Sequence, residues 1–243
     1  NGYQMMFADG FWLGSLQPFD IVSEVDLDIS QLSNALALWM CLVVLLSFHE
    51  FAHAWMAYKC GDDTARMMGR MTINPVVHID PLGTIFIPLA MFLLSPSFVV
   101  FGWAKPVPVN PSNFSSRKRD DILISMAGPV MNLILAFVLM LILRIILELS
   151  PSISNSPIVG KIPQIALISL FLCFFNLIPI PPLDGSHVMR HVVGMSEEMY
   201  YSIAKWGFLI LILVLNFFPF VGAAVFKISS ALLYFIMNLL MFP

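Results

Sequence analysis

Long apolar runs separated by short polar stretches constrain this chain more than any other feature. Residues 33–48 form the first run, with sixteen consecutive uncharged residues, and helical periodicity continues through residue 58. About 20 apolar residues at about 1.5 Å each cross a hydrocarbon core about 30 Å thick. Further apolar runs occupy residues 82–103, 122–146, 162–183, 203–218 and 221–242. The pattern predicts a membrane protein with several helical spans.

The composition agrees with a membrane protein and excludes several soluble classes. Hydrophobic residues make up 59% of the 243 residues and charged residues 11%, whereas soluble domains have about 45–50% and about 25%. A net charge of −3 offers no basic face for phosphates, so we expect no nucleic-acid partner. The three cysteines are too scattered for a disulfide framework.

We expect an all-α polytopic fold in which about five helices cross the bilayer. Residues 82–103 are interrupted by two glycines and two prolines. We interpret them as one re-entrant segment, in which short β-strands are also allowed, because irregular backbone is tolerated at membrane depth where protein or water covers it.

Basic residues predict the orientation, because they stay on the cytoplasmic side of a membrane. Eight of the twelve Lys and Arg residues follow the first run or flank the third and fourth runs. The N-terminus is therefore expected outside. A complete crossing by residues 82–103 would separate Lys105 and the cluster at 117–119 from Arg66 and Arg70, which favours the re-entrant interpretation.

An HExxH pattern at residues 49–53 ends the first run. His49 and His53 lie one helical turn apart on one face, close enough to share one tetrahedral zinc ion. Glu50 lies about 100° round the helix, where it can reach a metal-bound water without being a ligand. The alternative is a polar helix end that meets lipid headgroups. Three ionisable residues in five positions of a membrane helix are costly unless they face a partner or water.

Two histidines leave a zinc site one protein ligand short. Asp184 follows a helical run and a proline-rich extension, and it reaches the depth of the histidines if the first and fourth runs are parallel. An Asp-Gly turn at a helix end is its alternative role. His78, His187 and His191 also compete for the third position, and each is equally well explained as an interfacial histidine.

These motifs resemble those of the site-2 protease family of intramembrane zinc metalloproteases, over residues 33–195. Besides the HExxH pattern, the resemblance rests on GDDTAR at 61–66, GR at 69–70, NP at 74–75, GWAKPVPVNP at 102–111, AGP at 127–129 with Asn132, and NLIPIPPLDG at 176–185. Its compactness is similar to that of the bacterial branch that lacks PDZ and CBS domains.

The resemblance implies one Zn²⁺ ion held by His49, His53 and Asp184, with Glu50 as catalytic acid/base. It implies Asn176 as a polar residue that helps to hold substrate or intermediate. Asn132 is a second candidate oxyanion donor, and its alternative role is a hydrogen bond between packed helices. The implied activity is hydrolysis of a peptide bond in or near a transmembrane segment of a membrane protein, as in regulated intramembrane proteolysis.

Charge, the apolar runs and the resemblance over residues 33–195 together set the expected organisation. Residues 1–32 form an acidic extracytoplasmic flank, residues 33–198 the catalytic membrane core, and residues 199–243 a C-terminal transmembrane hairpin. The expected location is the bacterial inner (cytoplasmic) membrane, with the active site towards the cytoplasm. Expected partners are a transmembrane protein substrate, the lipid bilayer, and a regulatory membrane partner that the sequence does not identify.

Two other functions fit parts of the pattern. A membrane metal-ion transporter also buries His and Asp, but its ligands spread through the bilayer and its halves repeat. A non-catalytic binder of membrane helices would typically have lost Glu50 or a ligand. Here no halves repeat and every residue of the motif is present, so hydrolysis is the favoured interpretation.

Overall fold

The computed structural model describes residues 29–94, 102–153 and 156–241. Within these ranges the regular elements are all helices and no β-strand is present. The expected all-α fold is confirmed, and the short strands that the second run allowed are not found in its described part. Most of the flank at residues 1–32 lies outside the described residues.

Nine α-helices occur in the described chain. In order they are α1 (Ile29–Lys59), α2 (Thr64–Met67), α3 (Ile87–Leu94), α4 (Arg117–Leu149), α5 (Pro157–Asn176), α6 (Gly185–Val192), α7 (Glu197–Ala204), α8 (Gly207–Phe217) and α9 (Phe220–Leu239). Gly61 follows the end of α1 with a φ of 101°, which glycine adopts at little cost. At the start of α4, the Asp120 carboxylate accepts a hydrogen bond from the Ser116 N–H.

Four of the described helices are long and apolar enough to cross a membrane. They lie at Leu36–Lys59, Arg117–Leu149, Val159–Asn176 and Pro219–Leu239. α7 and α8 form a fifth if this pair, bent by 61°, is one span. No more than 39% of the most apolar part of any of the four is buried, so each of these helices keeps apolar surface that lipid can cover. The chain is therefore an integral membrane protein.

The second apolar run contains only a short helix. A π-helical turn at Pro81–Phe86 leads into α3, and the Asp80 carboxylate accepts hydrogen bonds from the N–H groups of Leu82 and Gly83 at its start. Helix over residues 81–94 covers about 20 Å, against about 30 Å of hydrocarbon. This helical part is too short to cross, as a re-entrant segment requires.

α4 runs antiparallel to α1. Near the start of α4, Ile124 contacts His53, and further along α4 Asn132 contacts His49. The order of contacts along α4 is therefore the reverse of that along α1.

α5 runs parallel to α1. At its start, the Lys161 ammonium donates to the Asn34 side chain near the start of α1, at 3.0 Å. The chain beyond α5 consequently arrives beside the end of α1 that carries the HExxH pattern. One net crossing, made by α4, separates the two helices, in agreement with the expected topology.

Small residues let α4 and α5 pack closely. Ala136 of α4 and Ala166 of α5 are fully buried in one apolar cluster, which also contains Met140 and Leu170 and extends to α9. Close backbone approach through small residues is the usual basis of helix association in lipid. The Ser169 hydroxyl adds a hydrogen bond to the Asn132 carbonyl at 2.7 Å. This packing fixes the position of Asn132, which contacts His49.

Candidate active site

Three side chains that the sequence suggested as metal ligands meet at one point. His49 Nε2 and His53 Nε2 are 3.0 Å apart, and Asp184 Oδ2 lies 3.2 Å from the first and 3.4 Å from the second. Both histidines are buried. Together with Asp184 they form the group of metal-ligating side chains found among the described residues.

The spacing of these three atoms fits a tetrahedral zinc ion. Metal–ligand bonds of about 2.1 Å at tetrahedral angles put neighbouring ligand atoms about 3.4 Å apart. The Asp184 Oδ2 atom is buried and accepts no hydrogen bond, although two imidazole nitrogens lie beside it. A buried carboxylate oxygen that faces two nitrogen lone pairs is costly unless a proton or a metal cation lies between them. The residues present therefore suit Zn²⁺.

The tautomer of His53 is fixed by the backbone of α4. Its Nδ1–H donates to the Ile124 carbonyl at 2.7 Å. In a neutral imidazole this leaves the Nε2 lone pair free to bind a metal. A backbone carbonyl is a common partner for the second nitrogen of a metal-binding histidine.

Asn132 has the equivalent position beside His49. Its side-chain Nδ2 lies 3.1 Å from His49 Nδ1, and its own Oδ1 is buried without a partner. Rotating the amide by 180° exchanges these atoms, so that Oδ1 accepts the His49 Nδ1–H and the Nε2 lone pair is free. Holding His49 is a different role from donating to an oxyanion. The oxyanion role of Asn132 stays a prediction.

Gly128 keeps open the space between the imidazoles. A Cβ atom at this position would lie 2.4 Å from His53 Nε2 and 2.6 Å from His49 Nε2. The following residue, Pro129, has no N–H, so α4 lacks one hydrogen bond of its ladder there. α4 thus passes the metal-binding group without a side chain in the way.

Glu50 is held apart from the three ligand atoms. Its Oε2 accepts a hydrogen bond from the Val107 N–H at 2.9 Å. Glu50 is half-buried and lies on the same turn of α1 as His49. This separation suits a proton carrier that is not a ligand.

The chain between α5 and α6 delivers Asp184. Prolines end α5 soon after Asn176, and Asp184 precedes the first residue of α6 without capping that helix. Its carboxylate is therefore free to face the histidines. A Cβ on Gly185 would lie 2.2 Å from the Leu177 carbonyl oxygen, so the turn requires glycine.

The competing histidines lie elsewhere. His78 is buried and its Nε2 donates to the Thr72 carbonyl at 2.8 Å. His187 and His191 face the Asp121 carboxylate, at 3.2 Å and 2.6 Å. Of the four candidates for a third ligand, Asp184 is the one that the structure brings to the HExxH histidines.

The hydrogen bond of the Asn176 side chain stays within α5 and does not connect it to the metal-ligand group. Its side-chain amide donates to the Leu172 carbonyl one turn earlier in α5, at 2.9 Å. The predicted role of Asn176 in holding substrate stays a prediction.

Buried Asp62 fixes the chain that follows α1. Its carboxylate accepts hydrogen bonds from Thr64, from the Asn110 N–H at 2.7 Å and from the Asn113 side chain at 2.8 Å. Burial alone would raise the pKa of Asp62, but these bonds outweigh it and hold that pKa below its usual range. Asp62 is thus a charged structural anchor just beyond the end of α1 that carries the HExxH pattern.

The bundle of apolar helices and the HExxH group define a class, the membrane-embedded metalloproteases. Comparison with known proteins agrees: the model of Peptidase family M50 matches residues 37–156 and 146–215. The chain belongs to this family, the site-2 protease family, and is a zinc metalloprotease. The resemblance seen in its motifs is confirmed.

Curated relatives carry matching names. "Putative zinc metalloprotease YwhC" of Bacillus subtilis is 38% identical over 71% of this chain and 77% of that protein. "Putative zinc metalloprotease Rip2" of Mycolicibacterium smegmatis is 27% identical over 70% of this chain and 62% of its own length. Rip2 of Mycobacterium tuberculosis is 28% identical over 73% and 65%. No solved structure gives a significant match.

Sequence reasoning missed the groups that orient the site. The Ile124 carbonyl and the Val107 N–H are backbone groups, and every residue except proline has both, so no residue pattern marks them. The proline on each side of Val107 was the available signal for a stiff segment.

Proposed function

We propose that this protein hydrolyses a peptide bond in or near a transmembrane segment of a membrane-protein substrate. The convergence of His49, His53 and Asp184 on one point carries the proposal, because it supplies three zinc ligands inside a bundle of apolar helices. Glu50, one residue from a ligand, is the proposed acid/base. Release of a domain by such a cut would amount to regulated intramembrane proteolysis.

The proposed chemistry divides between metal and protein. Bound zinc supplies a Lewis acid that polarises the scissile carbonyl and acidifies water. Glu50 takes a proton from the attacking water and returns it to the leaving amine. Asn132 keeps His49 oriented, and the Ile124 carbonyl does so for His53. Asn176 and Asn132 are the candidate donors to developing oxyanion charge.

The proposed location is a bacterial inner membrane with the site towards the cytoplasm and the N-terminus outside. Lys59 ends α1, and Arg117, Lys118 and Arg119 begin α4, so basic residues gather at the end of the bundle that holds the HExxH pattern. Basic residues favour the cytoplasmic side. Water and products would pass through that face. The proposed partners are the substrate, the lipids and a regulatory membrane protein.

A reporter assay tests the proposal. Membrane proteins with one apolar span and a cytoplasmic tag are co-expressed with the wild type, with Glu50→Gln and with Glu148→Gln. Glu148 pairs with Arg144 and is half-exposed near the end of α4, distant in sequence from the site. We expect cleavage by the wild type and Glu148→Gln, and loss of cleavage with zinc retained in Glu50→Gln.

Two results would contradict the proposal. One is undiminished cleavage by Glu50→Gln. The other is zinc uptake into sealed vesicles at equal rates by the wild type and Glu50→Gln, which would indicate a transporter.

A further inference from the structure

Residues 102–110, called the strap, have no regular secondary structure and contact the HExxH motif at Glu50. At the start of the strap, the Trp103 N–H donates to the Gly83 carbonyl at 3.2 Å. Three further N–H groups are bonded to the protein: that of Lys105 to the His78 carbonyl at 2.8 Å, that of Val107 to Glu50 Oε2 at 2.9 Å, and that of Asn110 to Asp62 Oδ2 at 2.7 Å. The middle of these three bonds ends on Glu50. None of the strap residues contributes to the metal-ligand group.

The strap is stiff where it meets Glu50. Val107 lies between Pro106 and Pro108, whose rings fix φ at about −65° and disfavour helix in the preceding residue. Neither proline has an N–H. Val107 is therefore the single backbone donor of this tripeptide, and it is bonded to the Glu50 carboxylate.

Two buried charged residues tie the strap down on either side of Val107. The Arg70 guanidinium donates to the Lys105 carbonyl at 2.7 Å and to the Pro106 carbonyl at 3.4 Å. Asp62 holds the Asn110 N–H three residues after Val107. Arg70 and Asp62 are both buried, and buried charges are retained where they are paired or hydrogen-bonded. The Val107 N–H is consequently presented from a fixed position.

We propose that the strap is a positioning element for catalysis, which holds Glu50 Oε2 through the Val107 N–H so that Oε1 faces the attacking water. The inference rests on the proposed function of Glu50. A free glutamate side chain rotates about three bonds, and a hydrogen bond to one oxygen selects the orientation needed for proton transfer. The strap acts on turnover and leaves metal binding intact, because Glu50 is not a ligand.

A proline substitution tests the hydrogen bond. Val107→Pro removes the N–H, whereas Val107→Ala keeps it and shortens only the side chain. With the reporter that the wild type cleaves best, purified Val107→Pro is expected to lose about 100-fold in kcat, as misplaced catalytic groups do. KM and zinc content should stay near those of the wild type. Val107→Ala should keep most of the wild-type kcat.

Two further variants cover misfolding of Val107→Pro. Cell-free synthesis with α-hydroxyisovaleric acid at position 107 replaces the amide between Pro106 and Val107 by an ester. This change deletes the N–H, keeps the side chain, and weakens the Pro106 carbonyl as an acceptor for Arg70. Arg70→Gln loosens the strap without touching Glu50. Both are expected to lower kcat with zinc retained. If Val107→Pro loses its zinc, the kcat values of the ester form and of Arg70→Gln decide whether the strap positions Glu50.

Equal kcat for the ester and amide forms would overturn the positioning role, as would a higher kcat, which would mean that the strap restrains Glu50. Glu50→Gln distinguishes the levels of failure. If Glu50→Gln stays active, the proposed function fails. If it is inactive while the ester form is fully active, only the strap proposal fails.

Discussion

At the scale of single residues, the site depends on what is absent at Gly128 as much as on its ligands. The space that a methyl group would fill there is the space between His49 Nε2 and His53 Nε2. Gly222 of α9 is a matched position, since a Cβ there would meet nothing within 4 Å.

Gly128→Ala is expected to weaken zinc binding about 10- to 100-fold, the range seen when groups around metal ligands are disturbed. Gly222→Ala should bind zinc as the wild type does. Zinc content after purification, and competition with a chelator of known affinity, measure the difference. Equal affinity in the two variants would contradict the close approach of α4.

A second residue-scale prediction concerns Asp62. Because its pKa is lowered in the folded protein, its ionised form stabilises the fold above the unfolded pKa of about 3.9, and that contribution disappears as the pH falls through the lower folded pKa. Asp62→Asn is expected to cost about 1–3 kcal/mol at pH 7, the usual effect of unmatched buried hydrogen bonds.

Thermal unfolding in detergent at several pH values checks this prediction. The midpoint of Asp62→Asn should lie below that of the wild type at pH 7, and the gap should narrow below about pH 4. A gap that is the same at every pH would show that the charge of Asp62 is not the cause.

At the scale of elements, α6 determines where Asp184 lies. Asp184 directly precedes α6, and α6 is attached to α4 through Asp121, which faces His187 and His191. α4 also supplies Gly128 and the partners of both metal-site histidines. α4 therefore contacts both the histidines of α1 and the helix that follows Asp184, and it fixes their relative positions.

Asp121→Ala is expected to loosen α6 and to weaken zinc binding about 10-fold or more, as loss of a supporting group does. Glu148→Ala is the control at the other end of α4, because its pair with Arg144 is partly exposed and such pairs contribute little. Chelator competition compares the two. Wild-type affinity in Asp121→Ala would mean that the Pro-rich chain alone positions Asp184.

The elements themselves follow from local pattern to different degrees. The runs around His49, Asn132 and Ser169 are α1, α4 and α5, because uninterrupted apolar sequence in lipid has to satisfy its backbone within a helix. The 61° bend between α7 and α8 was not anticipated. Gly207 approaches the Pro181 carbonyl at that bend, and such a contact is set by packing.

At the scale of the whole molecule, the proposed zinc site brings together parts of the chain that are distant in sequence. His49 and His53 lie in α1, and Asp184 lies beyond α5. A ligand that binds only the folded state stabilises it, by about 2.7 kcal/mol at a concentration 100 times its Kd. Metal binding should therefore stabilise the packing of α1 against the chain that follows α5.

Removal of zinc is expected to lower the thermal midpoint of the wild type and to leave a variant carrying His49→Ala and His53→Ala unaffected. Unfolding in detergent with and without a chelator measures both. Equal shifts in the two proteins would mean that the chelator acts on a different part of the molecule.

The sequence by itself determined the class of fold and the pairing of His49 with His53 on one helical face, and it made Asp184 a candidate at their depth if the first and fourth runs are parallel. These follow from hydrophobic run length and helical period, which are local properties. Only the tertiary structure decided what surrounds those residues: the Ile124 carbonyl on His53, Asn132 on His49, and the Val107 N–H on Glu50. Backbone groups are identical at nearly every position, so the one that faces a side chain is chosen by how helices and strap pack.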